Sequence, residues 1–315
     1  FFLKFYEKDL VYRKKAPVNW CPSCKTVLAN EEVENGKCWR CDSKVETHDL
    51  EQWFFRTTKY AEELLKDLDK LDWSERIKSK QRNWNGKSEG IDIFIKIKNS
   101  DSVLSAFTTR CDTIFSVTFL AIAPESHLVD KLVKGTKYEK TIKDFVKKVL
   151  KEKIEDRINE EKEKEGVFTG YYAINPATKK EIPVYVANFA LMYGTGVVMC
   201  DAHDKRDFRF ARKYKIQLKF VISKGGEKIS PGDFDEAFVE DGVLFDSGIF
   251  SGMNNREALP KISLWLEQNK MGKRNVNYKL KDWLISRQRY WGTPIPIIYC
   301  DKCGIVPVPE KDLPV

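Results

Sequence analysis

The chain has 315 residues, 42% hydrophobic and 32% charged, a composition that supports packed cores and excludes disorder along the whole chain. Fifty-five Lys and Arg stand against 47 Asp and Glu, a formal net charge of +8 that suits an anionic partner. No apolar run approaches the ~18 residues of a membrane-spanning helix, and three histidines (His48, His127, His203) argue against a histidine-rich catalytic metal centre and leave little material for Ser/His/Asp chemistry.

The chain begins Phe1-Phe2-Leu3-Lys4, with no Met and no basic-then-apolar leader, and so reads as cut into mid-element. A short helical start leads to a strand at Val18, Asn19 and Trp20. Cys21 and Cys24, then Cys38 and Cys41, follow with the spacing C-x2-C-x13-C-x2-C. Each pair suits a tight knuckle whose backbone N–H groups point at sulfur. Two facing knuckles give a tetrahedron of thiolates that suits zinc. Asn35-Gly36 between them is a hairpin-turn signal. The alternative, two disulfides of a secreted domain, has no leader to support it. Four thiolates leave no open position, so the predicted zinc is structural.

Leu50, Trp53, Phe54, Ala61, Leu64, Leu65, Leu68 and Leu71 recur in three- and four-residue steps and predict a long amphipathic helix. A second helical piece runs from the N-cap candidate Ser74 to about Asn83. Beyond Gly86, Ile91, Ile93, Ile95 and Ile97 alternate with polar residues and Phe94, a half-buried strand. Further strands are predicted at 104–110, 117–123, 182–187, 197–199 and 218–222, with helices at 128–133, 139–159, 204–215 and 256–269. Mixed elements without strict alternation predict an α+β fold: a curved sheet or β-barrel core flanked by helices. The mixed-sign stretch 147–165 reads as a solvated helix face and its trailing loop.

From Asn277 the texture shifts to Trp283, Leu284, Arg287, Arg289, Tyr290 and Trp291, then a strand at 294–299 entering a second knuckle, Cys300 and Cys303. That knuckle is either half of a zinc site whose other half is missing, or a redox pair. Pro307 and Pro309, following at once, favour the half-site. Cys111 and Cys200 sit alone in strand-like surroundings and read as buried. The predicted organisation is a zinc ribbon at 1–47, a helical linker at 48–88, a main domain at 89–276 and a return segment at 277–315.

Three constellations carry possible chemistry. Thr108, Thr109, Arg110, Asp112 and Thr113 at a strand end can bind a polar ligand and position a water, or simply form a capped turn. Tyr193, Gly194, Thr195 and Gly196 let backbone approach a flat or phosphorylated ligand, though the motif is too short for a dinucleotide fingerprint. His203, Asp204, Arg206 and Asp207 open a helix. Acids belong there in any case, and Asp207 is also placed to hold an ammonium group. Cys200 near His203 invites a thiol-hydrolase reading, which a buried, inert cysteine would defeat.

Taken in order, these residues resemble the bacterial type of leucyl-tRNA synthetase over essentially the whole chain. The resemblance is carried by the 16–24 stretch with its ribbon, Leu50-Glu51-Gln52-Trp53-Phe54, Arg82-Asn83-Trp84, the threonine motif at 108–113, the 193–199 and 203–207 motifs, and 283–292. It implies a class I synthetase interrupted by an editing domain that hydrolyses tRNA-Leu mischarged with non-cognate amino acids. By motif position, Thr113 would be the gate that excludes leucine, and Asp207 would bind the amino group. Thr108 and Thr109 would orient ester and water, and Asp204 and Arg206 would support the pocket wall. Tyr193 and the Gly194–Gly196 backbone would hold the terminal adenosine, with Arg110, Thr195, Met199 and His203 also around the substrate.

The implied partners are the tRNA-Leu acceptor end and the rest of the synthetase. The implied location is the cytoplasm, and ATP and magnesium belong only to the full-length enzyme. Two departures stand out. Cys111 replaces the family's proline, and only Cys200, Asp201 and Ala202 separate Met199 from His203, where the family has four residues. The His-x-Gly-His and Lys-Met-Ser-Lys-Ser signatures of class I synthetases are absent from this segment, so no leucine activation is expected of it alone.

Overall fold

The computed structural model describes every residue except 30, 31, 35, 153, 193 and 289–291. Asn35 of the predicted hairpin turn, Tyr193, and the Arg289, Tyr290 and Trp291 part of the return motif therefore lie outside the described residues. The chain forms two units, Phe1–Lys87 with Tyr278–Val315, and Ser88–Asn277.

In the first unit, helix α1 (Phe2–Glu7) precedes strand β1 (Val11–Cys21). Short strands β2 (Thr26–Leu28), β3 (Val33–Glu34) and β4 (Lys37–Cys38) build the ribbon. Strand β5 (Glu46–Phe55) then returns antiparallel along β1, from Trp20 opposite Glu46 to Val11 opposite Phe55. This corrects the predicted long helix, whose first part is strand, and the strand runs through the predicted boundary between residues 47 and 48. The physical reason is local. Gln52, Trp53 and Phe54 are all buried, so both faces of the strand end carry core residues and their spacing mimics a helical period. Helix begins only at α2 (Ala61–Leu68), followed by α3 (Glu75–Asn85), which ends on Gly86 in the left-handed conformation.

The second unit opens with β6 (Ser88–Ile97), whose isoleucines at 91, 93, 95 and 97 are buried. Strand β7 (Val103–Thr108) folds back on it. A 3-10 turn (Cys111–Ser116) leads into β8 (Phe119–Ile122). Helices α4 (His127–Val133), α5 (Glu139–Val149) and α6 (Ile154–Ile158) follow, so the single helix predicted at 139–159 is two pieces. Then come β9 (Gly166–Ile174), β10 (Glu181–Ala187), β11 (Val197–Cys200) and α7 (Lys205–Lys213). Two-residue strands β12 (Ile222–Ser223) and β13 (Val243–Leu244) pair with each other, and only the end of the strand predicted at 218–222 is extended. Helix α8 (Asn255–Gln268) and β14 (Gly272–Asn277) close the unit.

The sheet runs β11-β8-β10-β9-β6-β14, with β7 on the other side of β6. Only β8 and β10 are parallel. The barrel alternative is corrected: β7 and β11 share no ladder, so the sheet stays open. The Thr195 hydroxyl donating to the Ser105 carbonyl is a side-chain stitch across that gap. Branched aliphatics from β6, β8 and β10, with α8 laid over them, form the main core, and Phe119, Phe189 and Phe210 form a second cluster under α7. Entry and exit meet on one rung, Ser88 opposite Asn277.

In the return segment, β15 (Trp283–Leu284) pairs with β5, and the Ser286 hydroxyl accepts the Trp53 N–H at 2.8 Å. Strands β16 (Ile297–Cys300) and β17 (Gly304–Pro307) form a hairpin around the second knuckle. Among the described residues no helix is long and apolar enough to cross a membrane.

Gly90 controls how closely the two strands beside the site approach. A methyl there would stand well inside contact distance of the Thr108 carbonyl oxygen and against the Phe107 ring. Gly90→Ala is expected to destabilise the protein by about 1–3 kcal/mol through overpacking. Chemical denaturation checks this, and an unchanged midpoint would mean that the strands separate freely.

Candidate functional site

Strand β7 ends at Thr108, whose Oγ1 accepts the Arg110 N–H at 3.0 Å and turns the chain. The 3-10 turn that follows is entirely buried. Its Asp112 is fully enclosed and grips the Arg110 guanidinium with both oxygens, Nε to Oδ1 at 2.9 Å and Nη2 to Oδ2 at 3.0 Å. Asn255, the first residue of α8, donates to the same Oδ2 at 3.0 Å and to Asp241 at 3.0 Å. Its own oxygen accepts the Gly242 N–H at 3.0 Å. The threonine motif is thus more than a capped turn, because the start of α8 holds it from outside and is itself tied to the 241–242 loop.

Thr113 is 3% exposed. Its Oγ1 lies 2.9 Å from the Arg110 carbonyl oxygen and 2.7 Å from Asp201 Oδ2. Asp201 belongs to the three-residue stretch between Met199 and His203 and had no role in the motif reading. Its other oxygen accepts the His203 N–H at 2.7 Å, and the next amide, Ala202, donates to Ser116 Oγ at 3.2 Å.

Asp204 caps α7, its Oδ1 accepting the Asp207 N–H at 3.0 Å. Asp207 itself is 2% exposed and accepts from Arg206 Nε at 2.8 Å. Burial pushes its carboxyl up to about 7, with Arg206 opposing. The Arg206 guanidinium lies 4.6 Å over the Phe189 ring. His203 Nε2 accepts the Val221 N–H at 3.0 Å, which leaves the proton on Nδ1 to face the Phe238 carbonyl at 2.8 Å. Burial lowers this imidazole to about 4, so it is neutral at physiological pH. Cys200 is fully buried and its thiol is pushed well above the ordinary range by burial, which removes it as a nucleophile.

Gly194 and Gly196 take φ of 62° and 70°, the left-handed region that glycine enters without strain. Met199 is half-buried against the main core, and Thr109 is exposed. Beside these elements opens a cleft of ≈ 550 Å³ whose walls include Phe107, Lys164, Phe189, His203, Asp204 and Arg206. The structure therefore brings the ends of β7 and β11 and the head of α7 together. Asp201 stands between the two motifs: it bonds Thr113 and acts on Asp207 through its charge. Asp201 and Asn255 are the residues that motif reading missed. The signal available for Asp201 was an acid standing two residues before His203, and Asn255 looked like an ordinary helix start.

In the ribbon, Cys21, Cys24, Cys38 and Cys41 place their sulfurs within 4.8 Å of one another. The separations of 3.4, 3.5 and 4.0 Å are too long for a disulfide (about 2.05 Å) and bracket the ~3.8 Å edge of a tetrahedron with metal–sulfur bonds of about 2.3 Å. The Cys24 N–H points at Cys21 Sγ at 3.3 Å, a knuckle bond. These four residues can hold a metal ion, and they are the only such cluster among the described residues. Cys303 N–H likewise points at Cys300 Sγ at 3.4 Å.

The depressed His203 gives a signed pH dependence. A neutral buried imidazole contributes stability that is fully present above about pH 6.5 and is lost as pH falls towards 4, by up to about 3 kcal/mol. A His203→Gln variant should lose less stability than the parent over that window. Denaturation midpoints at a series of pH values check it, and parallel profiles would refute it.

The editing-domain model of leucyl-tRNA synthetase matches residues 82–267. The model for class I tRNA synthetases of the I, L, M and V group matches residues 1–87 and 254–312. Leucine–tRNA ligases of Oleidesulfovibrio alaskensis and Thermotoga maritima are each 54% identical over the full chain, which spans 38% of their length. A crystal structure of an Agrobacterium radiobacter LeuRS in ternary complex with tRNA and LeuAMS superposes with a TM-score of 0.77 at 34% identity, covering 99% of this chain and 36% of that one. With the editing-domain model matching more than half of its residues, this chain belongs to the leucyl-tRNA synthetase family and carries that family's editing domain.

Proposed function

We propose that the unit Ser88–Asn277 hydrolyses the ester of tRNA-Leu charged with a non-cognate amino acid. One observation carries most of the weight. Thr113 and Asp201, 88 positions apart, meet across a 2.7 Å hydrogen bond, which sets the threonine motif beside Met199 and the head of α7. An aliphatic synthetic pocket separates amino acids differing by one methyl by only about 1–3 kcal/mol, so a second sieve is needed. In that sieve Thr113 clashes with leucine, Asp207 takes the ammonium group, and Thr108 and Thr109 orient the ester and a water. Asp204 and Arg206 brace the wall, with Arg110, Met199 and His203 around the substrate. Tyr193, Gly194, Thr195 and Gly196 hold the terminal adenosine.

The step is direct. Water attacks the ester carbonyl, the carbonyl-carbon-to-ribose-oxygen bond breaks, the amino acid leaves with the water oxygen, and the ribose oxygen takes a proton. An ester is already activated, so positioned dipoles suffice and no side-chain nucleophile is required. The division into a ribbon, linker, editing domain and return segment follows from the same reading. So do the partners, the tRNA-Leu acceptor end and the rest of a cytoplasmic synthetase, whose synthetic reaction is where ATP and magnesium act. The ribbon thiols hold a structural zinc, and Cys300 with Cys303 forms half of a second site.

The test is ester loss from isoleucyl-, norvalyl- or methionyl-tRNA-Leu incubated with the chain, expected well above the buffer rate. Asp207→Ala should abolish it. Thr113→Ala should admit leucyl-tRNA-Leu, eroding discrimination by roughly 10–200-fold. The three-residue stretch between Met199 and His203, shorter than the resemblance implies, favours a second reading, a tRNA-docking module with degenerate editing. That version predicts salt-sensitive tRNA binding and no hydrolysis by parent or Thr113→Ala.

For the ribbon, metal analysis should find one zinc per chain. Cys24→Ser or Cys41→Ser should lose it and destabilise the first unit. Full retention of metal by both variants would remove the assignment.

A further inference from the structure

We propose that Asp201 is a positioning residue for Thr113. Its carboxyl sets the direction of the Thr113 hydroxyl, and thereby the face that the Thr113 methyl turns towards the aminoacyl group. The inference rests on the editing reading above and adds a specificity determinant that the motif does not contain.

Threonine carries its hydroxyl and methyl on one carbon, so a single torsion places both. Whatever holds the oxygen therefore aims the methyl. Thr113 Oγ1 is held from two sides, by the Arg110 carbonyl at 2.9 Å and Asp201 Oδ2 at 2.7 Å. Asp201 is itself held, its Oδ1 accepting the His203 N–H at 2.7 Å, while the Ala202 amide is tied to Ser116. The clamp thus joins the turn after β7 to the stretch before α7 in a site that is almost fully enclosed.

A hydroxyl has one hydrogen, and both partners here are acceptors when Asp201 is ionised. The hydrogen then goes to one of them, and the other oxygen faces Oγ1 with nothing between. When Asp201 is protonated, its own hydrogen is donated to Oγ1 and the threonine hydrogen serves the Arg110 carbonyl. Both contacts are then true hydrogen bonds. Burial raises Asp201 to about 6, opposed by the Thr113 and His203 bonds and by the Arg110 charge. Arg110 from the turn, Asp204 and Asp207 from α7, and the neutral His203 ring are the charged and titratable groups around it. The doubly bonded state is therefore the one present below about pH 6, and it gives way to the singly bonded state as pH rises through that value.

The experiment compares hydrolysis of leucyl-tRNA-Leu and isoleucyl-tRNA-Leu by the 315-residue chain from pH 5 to 8. The ratio cancels effects common to both esters. Discrimination by the parent should relax as pH rises through about 6. Asp201→Ala should lower it by about tenfold or more at every pH. Asp201→Asn, whose amide reproduces the protonated acid with Nδ2 towards Thr113 and Oδ1 towards His203, should keep the low-pH ratio throughout. In a Thr113→Ala background Asp201→Ala should cost no further discrimination, because the two act as one unit.

Undiminished discrimination in Asp201→Ala, a parent-like pH profile in Asp201→Asn, or additive losses in the double variant would each overturn the proposal. If Asp201→Ala does not fold, the isosteric Asn variant decides. Hydrolysis that responds to Thr113→Ala but to neither Asp201 variant would overturn this inference alone, whereas no hydrolysis by the parent would overturn the editing reading with it.

Discussion

A carboxylate sealed from water must be matched on every side or it forces the fold apart, and Asp112 is that carboxylate here. The Arg110 fork meets it on one edge and the Asn255 amide on another. Because Asn255 also bonds Asp241 and Gly242, a single buried charge ties the end of β7, the 3-10 turn, the start of α8 and the 241–242 loop into one body. Everything proposed for Thr113 depends on that anchorage. A gate that discriminates by clash is only as selective as its backbone is immobile.

Around the anchor the polar groups sort by partner rather than by position in sequence. His203 is held neutral between a backbone donor and a backbone acceptor, and so acts as a spacer between α7 and the 221–238 segment. Asp204 spends its side chain on the helix cap, and Asp207 meets Arg206. Of the three acids near the head of α7, Asp201 alone reaches across to the threonine turn. The short stretch between Met199 and His203 thus places a carboxyl where the Thr113 hydroxyl meets it.

Much of this was legible beforehand, and the failures have physical causes. The paired cysteines declared their cluster because four ligands at that spacing have few other uses, and their sulfurs converge. The isoleucines of β6 declared a strand because strict alternation has one meaning. Strand β5 was hidden because Gln52, Trp53 and Phe54 bury both faces at a strand end. Strands β9 and β14 were hidden because glycine and lysine interrupt their alternation. The barrel remained open because β7 pairs only with β6, a matter of register that no local pattern encodes. The motif threonines and aspartates were visible as a set, while the partners that aim them, Asn255 and Asp201, are long-range and look ordinary in their own neighbourhoods.

The rung on which Ser88 faces Asn277 has a further meaning. The chain enters and leaves the second unit through neighbouring antiparallel strands, so its two ends lie about 5 Å apart. A unit of this kind behaves as a cassette. Any host whose backbone offers two ends at the spacing of one strand pair can accept it without stretching, and closing those ends on each other needs only a short turn. Portability of this sort follows from the pairing of β6 with β14.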